Sequence, residues 1–153
     1  MNKLKKVELF CDGSCLKNPG DGGWAYILRY NGRQKIASGA KANTTNNQME
    51  LQAGINGLKA LREPCAVVLY TDSSYVVKGI NEWLEVWLKN GFKTASKQKV
   101  KNADLWLELL EQLKRHEVTA IWIKGHAGHE ENELCDKLAK EAATSLALSL
   151  IHI

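Results

Sequence analysis

Proline is scarce in this 153-residue chain, with two copies, and no segment is rich in Pro, Gly or Ser. That excludes a collagen, a linker-rich array and a low-complexity disordered chain. No apolar run approaches the ~18 residues a membrane span needs, so no membrane partner is expected. The N-terminus MNKLKKVELF is basic but meets polar residues before an apolar signal core forms. A domain of this length does not need disulfides, so Cys11, Cys15, Cys65 and Cys135 read as reduced thiols of a cytoplasmic protein. No CxxC pair is present, and His126, His129 and Cys135 match known structural zinc spacings poorly. What remains is 44% hydrophobic and 25% charged, with no internal repeat. That is enough to bury one core, and a single monomeric domain is expected.

Acids are missing from one part of the chain. Residues 1–101 carry 16 Lys/Arg against 8 Asp/Glu, and residues 102–153 carry 5 against 9. The segment 89–101, KNGFKTASKQKVK, has five lysines and no acid. Two readings are open for it. It is a handle for a polyanion, with nucleic acid the first candidate, or a solvated surface loop.

Hydrophobic spacing predicts the order β-β-β-α-β-α-α-β-α, a hairpin meander followed by alternating elements, hence a mixed sheet covered by helices. A first strand over 6–11 (KVELFC) ends at Asp12-Gly13. Strands over 23–30 and 33–42 flank Asn31-Gly32, where both turn residues tolerate positive φ. A helix starts at Thr45, with Gln48 placed to complete a capping box. It turns Leu51, Ile55 and Leu58 inward and closes before Pro64. The run CAVVLY (65–70) reads as a strand buried on both faces. Helical signal resumes near Ser73 and again over 82–88. A helix over 104–116 has Asp104 as a candidate cap, and VTAIWI (118–123) reads as a strand. A last helix over 131–143 puts Leu134, Leu138 and Ala142 inward.

Four acids fall at informative places. Asp12 and Asp72 end strands, where α/β sheets hold ligands; Glu50 lies in the first turns of its helix, and Asp136 lies on the last one. Singly, they read equally as a turn residue, an N-cap and two solvated charges. Together, they would repel one another unless cations held them. Hard oxygen ligands suit Mg²⁺ or Mn²⁺, and two such ions ~3.5–4 Å apart can drive phosphodiester hydrolysis.

The motifs Asp12-Gly13-Ser14, Thr45-Asn46-Asn47 through Glu50, Thr71-Asp72-Ser73, KNADLW (101–106) and GHAGHEENELCD (125–136) occur in that order. With the Trp-rich lysine loop, they closely resemble bacterial type 1 ribonuclease H over about residues 5–143. The resemblance implies a ribonuclease H-like α/β fold: a five-stranded mixed sheet, its first three strands antiparallel, with helices on both faces. It implies a catalytic domain over 1–143 with a basic protrusion at about 82–102, leaving 144–153 as an apolar tail of unassigned role. The implied activity cuts the RNA strand of an RNA–DNA hybrid with little sequence preference, leaving 5′-phosphate and 3′-hydroxyl ends. Two Mg²⁺ ions, with Mn²⁺ as a substitute, are the implied cofactors. By position, Asp12, Glu50, Asp72 and Asp136 are the implied metal ligands, and His126 the loop histidine that assists proton transfer. Asn18, Asn46 and Gln48 are implied to touch the RNA strand, and Thr45 and Asn102 to grip a DNA-strand phosphate. Many members have arginine where this chain has Asn43, which leaves Lys41 to share that grip. Trp83, Trp87 and Phe92, with Lys93, Lys97 and Lys99, match the protrusion that lies along the DNA strand. The two tryptophans, spaced i and i+4, read equally as core.

Overall fold

The structure, a computed structural model, describes residues 3–93, 98–124 and 129–151. Five strands form one sheet: β1 (Lys5–Cys15), β2 (Gly20–Tyr30), β3 (Arg33–Thr44), β4 (Cys65–Thr71) and β5 (Glu117–Trp122), in the order β3-β2-β1-β4-β5. The first three pair antiparallel, as expected, and the Asn31-Gly32 turn has φ of 51° and 80°. β4 runs parallel to both β1 and β5, so each step needs a crossover on a face of the sheet.

Alternation along β1 sets the two layers. Val7, Leu9 and Cys11 face a core shared with α1 (Asn46–Lys59), α2 (Ser74–Lys78), α3 (Leu84–Lys89) and α4 (Ala103–Arg115). Phe10 faces the other way, toward α5 (Glu130–Ile151). α1 lies between the sheet and α4, which is why Met49, Leu51, Ala53, Ile55 and Leu58 are all buried. It stops at Lys59, before the chain reaches Pro64. One π-helical turn, Gly79–Trp83, joins α2 to α3. There the Trp106 ring lies so close over Gly79 that a Cβ would overlap it.

Several sequence expectations need correction. β1 does not end at Asp12; it runs on to Cys15, paired with the glycines of β2 (Ser14 with Gly23, Cys15 with Gly22). What ends beside Asp12 is its parallel pairing with β4, whose last pair is Phe10 with Tyr70. Asp104 is not the cap of α4; Asn102 is, in a left-handed conformation at φ 61°. The buried face of α5 is Cys135, Ala139 and Ala143; Leu138 packs partly buried at its edge, as expected, and Leu134 is 36% exposed. Small residues are needed there because the helix backbone at Ala139 rides directly on Gly23, where a Cβ would overlap the Ala139 carbonyl oxygen. Residues 144–151 of the apolar tail continue α5, and Leu148 is exposed. Among the described residues, no helix is long and apolar enough to cross a membrane.

His116 links the end of α4 to the start of β4, its Nδ1 accepting the Cys65 backbone N–H at 3.0 Å. Burial, with the Arg115 charge adding to it, pulls its pKa below the usual histidine value. The unfolded chain therefore takes up a proton before the folded protein does. This contribution to stability is complete above the unfolded value of ~6.5 and is lost as pH falls toward the folded pKa. His116→Gln should flatten the fall in melting temperature between pH 7.5 and pH 5. The parent-minus-variant difference, taken at both pH values, isolates this group, and an unchanged difference would remove it from the account.

Candidate active site

At one end of the sheet, three elements bring carboxylates together. Asp12 comes from β1, Glu50 from the second turn of α1, and Asp72 from the residue after β4; one oxygen of each lies within 4.8 Å of the others. Local chemistry aims them. Thr45 caps α1, its hydroxyl accepting the Gln48 N–H at 3.2 Å, which fixes where Glu50 emerges. The Gln48 side chain does not complete the expected capping box; it bonds Thr44 and Asn102 instead. Ser73, not Asp72, caps α2, accepting the Val76 N–H at 3.2 Å, so the Asp72 carboxylate is spared for the pocket. The backbone at Asp72 is pinned as well, because its carbonyl accepts the indole N–H of the half-exposed Trp122 at 3.1 Å.

Asp136 on α5 lines the same pocket of about 430 Å³, together with Gly13, Asn46, Asn47, Ser73, Ser74 and Tyr75. It stands outside the tight trio, with Oδ2 held by Lys140 Nζ at 3.0 Å one turn along the helix.

The electrostatics match the crowding. Asp12 is 2% exposed, and burial pushes its pKa up to about 8; the Asp72 and Asp136 charges push the same way, and a hydrogen bond with Glu50 pulls against them. Burial first, and then the Asp12 charge, raise Glu50 well above the carboxylate range. Glu50 Oε2 is buried with no hydrogen-bond partner among the described residues. An orphaned carboxylate oxygen inside an all-oxygen donor set fits a hard divalent cation and little else. The buried Cys135 thiol is directed at the Phe10 carbonyl oxygen, and burial pushes its pKa up to about 12.

Around this centre, Asn46 Oδ1 accepts the Cys15 N–H at 2.8 Å, and Asn18 Oδ1 accepts the Asn46 N–H at 3.1 Å. A second pocket, about 530 Å³, is lined by Lys41, Gln48, Gln52, Lys99 and Asn102 at the start of α4. Asn102 makes no side-chain cap there, so the first N–H groups of α4 have no cap acceptor from it. Thr45 is absent from that lining, and Asn43 lies in a different groove with Leu16 and Ala147. Trp83, Trp87 and Phe92 form one half-buried aromatic cluster with Tyr75 and Trp106, with neighbouring centroids 5.3–6.1 Å apart. Packing against the core accounts for both tryptophans. Past Phe92, Lys93 and Lys99 pair as an isolated antiparallel bridge at the base of the basic loop. His126 and Lys97 lie outside the described residues. Gly13 and Asn47 stand inside the motifs without a role of their own, and Tyr75, Lys140 and Trp122 stand outside them. Of these, Trp122, an indole at a strand end just before the histidine loop, and Lys140, four residues after Asp136, had legible signals.

A mixed α/β sheet with an acid-lined pocket at one end of its central parallel strands is the class that fold and site define. Within that class, the family model described as RNase H matches residues 4–144, and the chain belongs to the ribonuclease H family. A ribonuclease H of Campylobacter concisus is 62% identical over 143 residues, covering 94% of this chain and 96% of that one. A ribonuclease HI of Campylobacter jejuni is 56% identical over 144 residues, covering 94% and 95%. Among solved structures, LC9-RNase H1, described as a type 1 RNase H with the type 2 active-site motif, superposes with a TM-score of 0.85 at 30% identity. It covers 95% of this chain and 75% of that one. The PFV RNase H domain superposes at 0.75 with 27% identity, covering 94% and 97%.

Proposed function

We propose that this protein is an endonuclease that hydrolyses the RNA strand of RNA–DNA hybrids, leaving 5′-phosphate and 3′-hydroxyl ends. The observation that carries the reading is the buried trio Asp12, Glu50 and Asp72, with Asp136 on the wall of the same pocket. Those four side chains would hold two Mg²⁺ ions, or Mn²⁺ in their place. Water activation and stabilisation of the departing oxygen are the chemistry such ions supply when bound. The chain's own residues do the rest. Asn18, Asn46 and Gln48 sit where short amides can meet the 2′-hydroxyls that an A-like hybrid exposes in its shallow minor groove. The second pocket, with Lys41, Lys99, Asn102 and the start of α4, takes a phosphate of the DNA strand. Lys93, Lys97 and Lys99 add affinity that no base identity modulates. Trp83, Trp87 and Phe92 form the footing of that protrusion.

The test is cleavage of an end-labelled hybrid beside duplex DNA and duplex RNA of the same sequence, with MgCl₂ and with EDTA. Cutting confined to the RNA strand of the hybrid, lost in EDTA, is expected. KM should rise with salt. A cut DNA strand, or hybrid binding without cutting, would overturn the reading. His126 is assigned to proton transfer and not to holding metal. His126→Ala should lower kcat by roughly 10–100-fold, toward the low end of general acid–base catalysis, with KM and Tm nearly unchanged. A lower Tm with intact turnover would return that residue to the scaffold.

A further inference from the structure

The two pockets are joined by a continuous chain of hydrogen bonds, and its hub is Tyr75. The Tyr75 hydroxyl accepts from Asn102 Nδ2 at 3.1 Å and from the indole N–H of Trp106 at 3.0 Å. Asn102 Oδ1 accepts from Gln48 Nε2 at 3.1 Å, and Gln48 Oε1 accepts from the Thr44 hydroxyl at 2.8 Å. Tyr75 follows Asp72 by three residues and lines the carboxylate pocket, whereas Asn102 and Gln48 line the lysine-flanked one. One end of the chain cannot move: Trp106 is fully buried, packed down onto Gly79.

Asn102 is held at both ends of its amide, Nδ2 donating to the Tyr75 hydroxyl and Oδ1 accepting from Gln48 Nε2, so its side chain cannot swing away without breaking both bonds. Asn102 also has a left-handed backbone and no capping bond to α4, so no bond to its own helix holds that side chain.

We propose that Tyr75 is a positioning residue. Its hydroxyl orients Asn102 for the DNA-strand phosphate, and its place three residues after Asp72 sets the register between that phosphate and the carboxylates. This rests on the hybrid-cleaving reading above. Tyr75 touches no reacting atom, so the loss of its hydroxyl acts on substrate seating and not on the chemical step.

The experiment measures KM and kcat on a hybrid, and hybrid affinity by fluorescence anisotropy in Ca²⁺, for the parent, Tyr75→Phe, Trp106→Phe, Asn102→Ala and the Tyr75→Phe/Asn102→Ala double variant. Tyr75→Phe should raise KM and the anisotropy Kd by roughly 5–10-fold, in the range one lost network hydrogen bond supports. Its kcat at saturation should stay within about twofold of the parent. Trp106→Phe, which keeps the Tyr75–Asn102 bond but frees the fixed end of the chain, should lower Tm and raise KM less than Tyr75→Phe does. In the Asn102→Ala background, Tyr75→Phe should add little. Three results would each overturn the proposal: an unchanged KM in Tyr75→Phe, a Trp106→Phe variant that raises KM equally, or fully additive effects in the double variant. A parent that neither binds nor cuts the hybrid overturns the functional reading, and this proposal with it. A parent that cuts normally while Tyr75→Phe matches it overturns this proposal alone.

Discussion

Asp12→Asn should abolish cleavage of a hybrid, with residual activity below about 1% of the parent, and should make the metal-free protein more stable. Both effects have one cause. Asp12 is the most enclosed member of the trio and faces Glu50, Asp72 and Asp136. An amide offers one neutral oxygen where the proposed site would need an anionic ligand for the cations it holds. In the absence of metal, the same charge is a liability. Its folded pKa, about 8, lies far above the ~3.9 of an unfolded aspartate. The folded protein keeps a proton that the unfolded chain releases, so metal-free stability falls as pH rises from about 4 to about 8. In EDTA the variant should therefore melt above the parent at pH 8, by about 2–4 °C for each kcal/mol of relieved repulsion. The gap should close toward pH 4–5. Added Mg²⁺ should raise the Tm of the parent and do little for the variant. Magnesium-dependent activity above a few per cent in the variant would remove Asp12 from the centre. A lower Tm at pH 8 would show that burial and the neighbouring acids do not make the Asp12 charge a liability.

How much of this was readable beforehand depended on the range of the signal. The hairpin turn at Asn31-Gly32 and the Thr45 cap are local, and the sequence carries them within a few residues. The ordered acid motifs are specific enough to name the four carboxylates, even though spacing alone cannot show that they meet. What failed was set by close approach between distant segments. Leucine spacing in α5 pointed at Leu134, but the helix backbone at Ala139 and Ala143 sits on Gly23 of β2, and that close approach turns Cys135, Ala139 and Ala143 inward. Gln48 fits a capping box by spacing, yet Thr44 and Asn102, brought in by β3 and α4, compete for its side chain and win. Trp83 and Trp87 balanced between core and surface because their spacing serves both. The π-turn at Gly79–Trp83 and the Trp106 ring decide for partial burial. Lys140 beside Asp136 was the exception, a nearby partner at i+4 on a helix that was visible and passed over.

Gly13 makes the last of these distant contacts the most consequential. It follows Asp12 on β1 and pairs with Trp24 of β2, at the point where α1 crosses the strand. A Cβ there would overlap the Met49 carbonyl carbon and the Glu50 backbone nitrogen and come within 2.6 Å of the Met49 oxygen. All three are backbone atoms, so no side chain can swing aside to make room. Gly13 N–H also donates to Asp12 Oδ1 at 2.9 Å, which ties the same residue to the position of the first carboxylate. Gly13→Ala must therefore separate β1 from α1, moving Asp12 and Glu50 apart. Overpacking of this kind costs about 1–3 kcal/mol, and a displacement near 1 Å at a reacting centre costs roughly 10²-fold in rate. The expected result is a folded protein with a lower Tm and kcat down by about two orders of magnitude. Gly32→Ala serves as the control: it meets nothing within 4 Å but sits at φ +80°, so it should lower Tm through backbone strain and leave kcat intact. Circular dichroism melts and steady-state kinetics on both variants decide the matter. If Gly13→Ala keeps the parent's turnover, the separation of β1 and α1 does not set the carboxylate geometry.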